Sequence, residues 1–286
     1  MVMQQPDPVD VLILGLGWTS TFLLPRLEQR DPPLSYAGTT RDGRDGSVPF
    51  TFDAADFEGA KKQLLKTPLA RTVLITFPVR GAEAIETLLE AYAGTHPGSN
   101  DVRYVLLGAT TIWKGDGWHD ESSPYDKNDA RGQAEDWLLH HLGSKGVVLD
   151  LAGLYGGQRH PKSWLVRVAK SKEAVKGKGA VHLIHGEDVA RAVILSIDKW
   201  TAVAGNRWIL TDGWSYDWWG LFVTYGRETR EREGGEGLEY ERWVFELLEE
   251  EGAKGLPRDK ERLGRLIDGR GFWQAAGDVP RVGRVV

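Results

Sequence analysis

VLILGLGWTS, Val11–Ser20, is the stretch that decides the fold. An apolar run from Val9 to Leu14 is one strand long and ends on two glycines, Gly15 and Gly17. A helix is then expected from Thr19 to Arg30, with Thr19 or Ser20 near its start and Pro25 as a candidate kink. A strand that turns on glycine into a helix gathers backbone N–H groups and the positive helix end at one place, which suits a pyrophosphate. Gly15 permits the tight turn and Gly17 lets the backbone approach the phosphates. Ser20 stands where a third glycine is usual and is small enough for close helix–sheet contact. The competing reading is a turn with a structural role only.

Outward from this turn, short apolar runs alternate with helical patterns. Strands are expected at Leu34–Thr39, Arg71–Phe77, Val102–Leu107 and Gly146–Leu151. Helices are expected at Phe57–Lys66, Ala82–Tyr92 and Ala130–Leu142. That alternation implies a parallel sheet covered by helices on both faces. The fold class is therefore α/β, a Rossmann-type doubly wound parallel sheet of six or seven strands with a small C-terminal substrate lobe. The pattern changes after Gly153: a short strand Val181–Ile184, a helix Glu187–Ile197, a strand Arg207–Leu210 and a helix within Gly237–Glu251 are expected. Residues 9–160 read as the dinucleotide-binding domain. Residues 161–286 read as a mixed α/β substrate lobe, part of 180–225 returning to the first domain. RETREREGGEG, Arg227–Gly237, reads as a mobile surface segment.

The second strand ends in AGTTR, Ala37–Arg41. A site that prefers NAD usually carries a carboxylate there for the ribose hydroxyls. Thr40 and Arg41 stand in its place, and Arg41, with Arg44, can take a 2′-phosphate through charge-assisted hydrogen bonds. The expected cofactor is NADP, with NAD as the other option. Asp42 and Asp45 could neutralise these arginines, which would make the loop an ordinary solvated one. Asp53 is set either to meet the adenine edge or to cap the helix that follows.

Composition narrows the classes. A formal net charge of −5 without a long basic stripe argues against nucleic acid as a partner. No cysteine is present, so disulfides, thiolate ligands and a cysteine nucleophile are excluded, and a reducing compartment fits. MVMQQPDPVD lacks a basic region followed by an apolar core, and no run approaches the ~18 apolar residues of a membrane span, so a cytoplasmic protein with no membrane partner is expected. His182 and His185 come with no third ligand at zinc spacing, so no metal is expected. Twelve tryptophans suit either a satellite core or an aromatic-lined substrate pocket.

Six segments, in order, resemble the extended short-chain dehydrogenase/reductase superfamily, in its atypical epimerase/dehydratase-like branch. They are LGLGWTS (Leu14–Ser20), GTTR (Gly38–Arg41), TFPV (Thr76–Val79), WKGDGWHDESSP (Trp113–Pro124), LAGLYGGQRHP (Leu151–Pro161) and IHGEDVARAV (Ile184–Val193). The resemblance implies that Gly15, Gly17, Trp18, Thr19 and Ser20 hold the pyrophosphate, that Thr40, Arg41 and Asp53 lie toward the adenosine, and that Phe77, Pro78 and Val79 line the cofactor channel. It implies structural roles for His185 and Asp188. It also implies a reactive Ser or Thr and a Tyr–Lys pair spaced YxxxK, in which lysine lowers the tyrosine pKa for proton exchange with the substrate.

Here the sequence departs from the pattern. Ala109 stands at the hydroxyl position with Thr110 and Thr111 beside it, and YxxxK has become Arg131 and Glu135. Arginine stays protonated and is a poor proton shuttle. Four apart on one helix face, Arg131 and Glu135 are set to pair with each other; Arg131 as anchor of an anionic substrate, or in catalysis, is the other option. Catalytic candidates are Thr110, Thr111, Tyr125 and Arg131, with His119 and His160 as loop residues that could border the pocket. Two functions follow: an NADP-dependent oxidoreductase or isomerase acting on a small polar molecule, or a catalytically degenerate NADP-binding regulatory or scaffold protein. The expected partners are the small-molecule substrate and, as an option, a second copy of the chain in a homodimer.

Overall fold

The computed structural model describes residues 6–233 and 239–285. The first half runs β1 (Val9–Leu14), α1 (Ser20–Gln29), β2 (Tyr36–Thr40), β3 (Val48–Pro49), α2 (Phe57–Leu64), β4 (Ala70–Ile75), α3 (Ala82–Ala93), β5 (Arg103–Ala109), β6 (Gly117–His119), α4 (Ala130–Leu142) and β7 (Gly146–Leu151). It continues through β8 (Gly153–Tyr155), α5 (Leu165–Val168), α6 (Lys172–Lys176), β9 (Ala180–His185), α7 (Gly186–Asp198), α8 (Trp200–Val203) and β10 (Arg207–Leu210). The last part holds β11 (Ser215–Asp217), α9 (Trp218–Glu233), α10 (Tyr240–Glu250), β12 (Arg265–Ile267) and α11 (Arg270–Ala276).

Seven parallel strands form the main sheet in the order β10-β7-β5-β4-β1-β2-β3, so the fold is Rossmann-type α/β. The strand order reverses between β1 and β4, the place where such sheets open a crevice at their carboxyl ends. Alternation along each strand builds two cores. Val11, Ile13, Val105 and Leu149 meet Leu23 and Leu27 of α1 and Val189 and Val193 of α7. Leu12, Leu14, Val73 and Leu106 meet Leu64, Ile85, Leu88 and Leu138 of α2, α3 and α4. A buried strand reads as a continuous apolar run because both faces are covered.

Beyond this sheet lie a three-stranded sheet, β11-β9-β8, and a pair, β12-β6. A third core joins Trp218, Trp219, Phe222 and Tyr225 of α9 to Tyr240, Val244 and Leu247 of α10. The tryptophans go mostly to such packing: Trp113 and Trp219 are fully buried, and Trp18 alone of the twelve lines the crevice described below. Within the segment read as mobile surface, the run from Arg227 is helical as far as Glu233 and Arg227 is exposed; the remainder, 234–237, lies outside the described residues. Charged residues without Gly or Pro carry good helix propensity, and packing of α9 through its apolar first turns extends the helix into them. Pro25 is accommodated inside α1. No helix among the described residues is long and apolar enough to cross a membrane.

Candidate active site

At the carboxyl ends of β1, β2, β4, β5 and β7 opens a cleft of about 1050 Å³, slightly above the usual ~300–1,000 Å³ of ligand sites. Its floor is the glycine turn. Gly15 has φ +101°, a conformation L side chains avoid, and a Cβ there would lie 2.7 Å from Thr76 Oγ1. Thr39 Oγ1 accepts a hydrogen bond from the Gly15 N–H (3.0 Å), and Thr76 Oγ1 donates to the Gly15 carbonyl (2.5 Å), so neighbouring strand ends clamp the turn. Gly17 has nothing within 4 Å of the place a Cβ would take. Gly15, Gly17, Trp18 and Thr19 line the cleft; Ser20 does not, being turned into the protein with its hydroxyl buried. An open backbone cradle at the start of α1 fits a dinucleotide pyrophosphate.

One end of the cleft is lined by Thr40, Arg41, Arg44, Thr51, Phe50 and Phe52. Asp42 takes Arg44 (3.1 Å) and accepts from Thr40 Oγ1 (3.1 Å), and that hydroxyl holds its carboxyl below the usual range. Arg41 has no ion pair among the described residues, so the acids of this loop leave it free. Asp53 is exposed and does not line the cleft; its carboxylate accepts from the Ala55 N–H (3.0 Å). The cap of α2 is Asp56, which accepts from Gly59 N–H (2.9 Å), so the capping alternative for Asp53 is corrected by three residues. Phe77 and Pro78 line the middle of the cleft, with the Phe77 ring 5.9 Å from that of Phe52, while Val79 is buried in the core.

Gly108, Ala109, Leu151, Ala152 and Leu154 form the wall at the ends of β5 and β7, and Arg131 and Arg159 are further cations lining the cleft, Arg159 over the Trp18 ring. Of the four catalytic candidates only Arg131 lines the cleft. Thr110 is buried and its carbonyl accepts from Arg265 (2.7 Å), and Thr111 is exposed. Tyr125 gives its hydroxyl proton to Asp136 and lies edge-on to Trp113. His119 bonds the Gly115 carbonyl (3.1 Å), and His160 accepts from Lys162 N–H (3.2 Å); neither lines the cleft. His185 accepts from Glu187 N–H (3.1 Å) at the start of α7. Burial holds the His182 imidazole down at about 4, and its Nε2 accepts from Ile267 N–H (3.2 Å).

The expected pair between Arg131 and Glu135 is not formed. Glu135 is buried and its Oε2 takes Arg207 of β10 (3.1 Å). Asp150 of β7 lies 3.4 Å from the same guanidinium. Tertiary packing overrides the helix-face neighbour because Arg207 reaches Glu135 where no water competes. Glu135 Oε1 and both Asp150 carboxyl oxygens lack a well-formed hydrogen bond, and the Ala109 N–H gives Asp150 only a weak downward pull. A proton shared between the two acids would supply a donor here. Burial drives both groups upward, Asp150 well above the usual range with the Glu135 charge adding to it, and Arg207 opposes the rise. The pair sits directly behind Gly108, whose Cβ would fall 1.9 Å from Asp150 Oδ1. The visible signal for this cluster is an aspartate inside GVVLDL, a strand that is otherwise apolar.

No family model matches the chain. The Rossmann-type fold is shared with solved structures of NAD-dependent epimerase and dehydratase architecture. Thermus thermophilus UDP-glucose 4-epimerase in complex with NAD superposes with a TM-score of 0.60 at 16% identity, covering 96% of this chain and 95% of that one. Human epimerase family protein SDR39U1 with NADPH gives a TM-score of 0.59 at 13% identity, covering 96% of each. In sequence, the chain is similar to Protein YeeZ of Escherichia coli, 29% identical over 214 residues, which span 65% of this chain and 72% of that protein.

Proposed function

We propose that this chain is an NADP(H)-dependent oxidoreductase or isomerase of the extended short-chain dehydrogenase/reductase type, acting on a small polar molecule. The observation that carries the reading is Arg41, which lines the same cleft as Gly15 and Gly17 and has no ion-pair partner among the described residues. The backbone at Gly15–Thr19 would hold the pyrophosphate, Thr40 and Arg41 the adenosine 2′-phosphate, and Phe77 and Pro78 the central channel. The cofactor would supply a hydride acceptor or donor. Residues 161–286 would form the substrate lobe, apart from the part within 180–225 that returns to the 9–160 domain. Thr110, Thr111 and Tyr125 lie outside the cleft and are proposed as hydroxyls that support the reaction from beside it; single deletions of each, read on kcat, test them.

NADPH and NADH titrated into the protein, followed by nicotinamide fluorescence, decide the cofactor. NADPH is expected to bind at least tenfold more tightly, in keeping with a charge-assisted bond of ~1.5–3 kcal/mol. Arg41→Ala is expected to remove most of that preference. Equal affinities in the unmodified protein, or a preference that survives in Arg41→Ala, defeat the assignment.

A second reading, a catalytically degenerate NADP-binding regulatory or scaffold protein, is favoured by one observation: Glu135, at the position of the family lysine, is tied to Arg207 behind the cleft wall. Tight NADPH binding with no hydride transfer across a screen of carbonyl and alcohol substrates would favour it.

A further inference from the structure

The charge lining the cleft is one-sided. Arg41, Arg44, Arg131 and Arg159 are its charged residues, and no Asp, Glu or Lys is among those lining it. Arg41 and Arg44 stand at the β2 end. Arg131 rises from the first turn of α4 and Arg159 comes from the loop after β8, and both line the same cleft. Neither forms an ion pair among the described residues. Among the described residues, three other inward-facing arginines are consumed by carboxylates, Arg191 by Asp188 and Asp278, Arg207 by Glu135 and Asp150, Arg258 by Asp217, and a fourth, Arg265, is spent on the Thr110 and Trp113 carbonyls.

The Arg159 side chain is held in position, and Arg131 is left unpaired among the described residues at the start of α4. The Arg159 guanidinium lies 4.6 Å from the centre of the Trp18 ring, and Trp18 Nε1 donates to the Gly156 carbonyl (3.1 Å), which ties the Arg159 loop to the glycine turn. Asp129 accepts from Arg131 N–H (2.9 Å) and caps α4, while Glu135, one turn on, is committed to Arg207. Arg131 thus keeps its side-chain donors for the cleft. A guanidinium presents a planar fork of donors that matches a carboxylate or phosphoryl group, with direction as well as charge.

We propose that Arg131 and Arg159 form an oxyanion subsite in this cleft, so that the substrate is a small compound bearing a carboxylate or phosphoryl group. This rests on the reading that the Arg41 end holds the adenosine of a dinucleotide. On this account the residue at the family's tyrosine position is an anchor for the substrate, and the polarity of the substrate is a negative charge.

Calorimetric titration of malonate and of inorganic phosphate, separately, tests the subsite. Each is added to the full chain, to Arg131→Gln and to Arg159→Gln, with and without saturating NADPH; NADPH is also titrated into each variant. The probe that binds the unmodified protein identifies carboxylate or phosphoryl as the preferred group. Its affinity is expected to fall about tenfold or more in each variant, the loss of a hydrogen bond to a charged group. NADPH affinity should stay within about twofold, a fraction of a kcal/mol. Failure of both probes to bind, or probe affinity indifferent to both substitutions, overturns the subsite. A loss of NADPH affinity as large as the loss of probe affinity also overturns it, by assigning these arginines to the cofactor. If NADPH does not bind the unmodified protein, the cofactor reading fails, and the arginine dependence in the NADPH-free titrations still decides the subsite.

Discussion

Asp150 is fully buried in the apolar strand β7 and shares its surroundings with Glu135 and Arg207. One cation cannot balance two ionised acids out of water, so one acid keeps its proton. The folded chain holds this proton more tightly than the unfolded chain, where both acids titrate normally. Stability therefore falls as pH rises from the ordinary carboxylate range through the raised value. Asp150→Asn keeps the shape, supplies N–H donors to Glu135 and removes the titration. Thermal melts between about pH 4 and pH 8 should show its Tm advantage over the unmodified protein widening with pH. Parallel curves would mean that no proton is shared. Comparing the two proteins cancels Asp212, which burial lifts to about 6 and which the substitution leaves in place. The cluster was only half legible: an acid in an apolar strand can be seen in a sequence, but its partner Arg207 lies 57 positions away.

The glycine turn is the element on which fold and site meet, and its two glycines do different work. Gly15 has φ +101° and no room for a methyl group beside Thr76, whereas Gly17 has an ordinary φ and open space. Gly15→Ala is expected to lower stability by about 1–3 kcal/mol, the cost of a strained backbone residue, and to weaken NADPH as well. Gly17→Ala should unfold in urea much as the unmodified protein does, yet lose NADPH affinity, since its methyl group would occupy phosphate space. Urea denaturation and NADPH titration on both variants check this. Equal stability losses would show that Gly17 is also a structural glycine. The turn was legible because strand, glycines and helix are adjacent in the chain. The neighbours that clamp it, Thr39 and Thr76, are 24 and 61 residues from Gly15 and were not.

At the scale of the molecule, the aromatic C-terminal core depends on a long-range charge pair. The Arg258 guanidinium sits 3.6 Å from the Trp219 ring centre, gives three hydrogen bonds to Asp217, and reaches the Lys178 carbonyl (2.6 Å). Its backbone N–H bonds Asp217 as well (2.9 Å). Asp217→Ala strands a buried cation, so a loss of about 3–5 kcal/mol is expected in urea denaturation. Arg258→Met together with Asp217→Ala should recover part of that loss, because it removes the unpaired charge. If the double variant is no better than Asp217→Ala, the pair does more for packing than for charge.

The glycine turn and the order of the longer strands and helices through β7 were written in local pattern, because apolar periodicity and turn chemistry act between neighbours in the chain; the short β3 and β6 and the unpaired state of Arg41 were not. The same local reading took Arg131 and Glu135 for a helix-face pair and did not see that Arg227–Glu233 continues a helix. Tertiary structure decided both: β10 returns to the edge of the main sheet and brings Arg207 to Glu135, and α9 packs its aromatic turns into a third core. It also brought Arg159 into the same cleft as Arg131 and left Thr110, Thr111 and Tyr125 outside it. Which arginine keeps its charge for a ligand depends on which carboxylates fold up against it, and that is set by contacts between residues far apart in sequence.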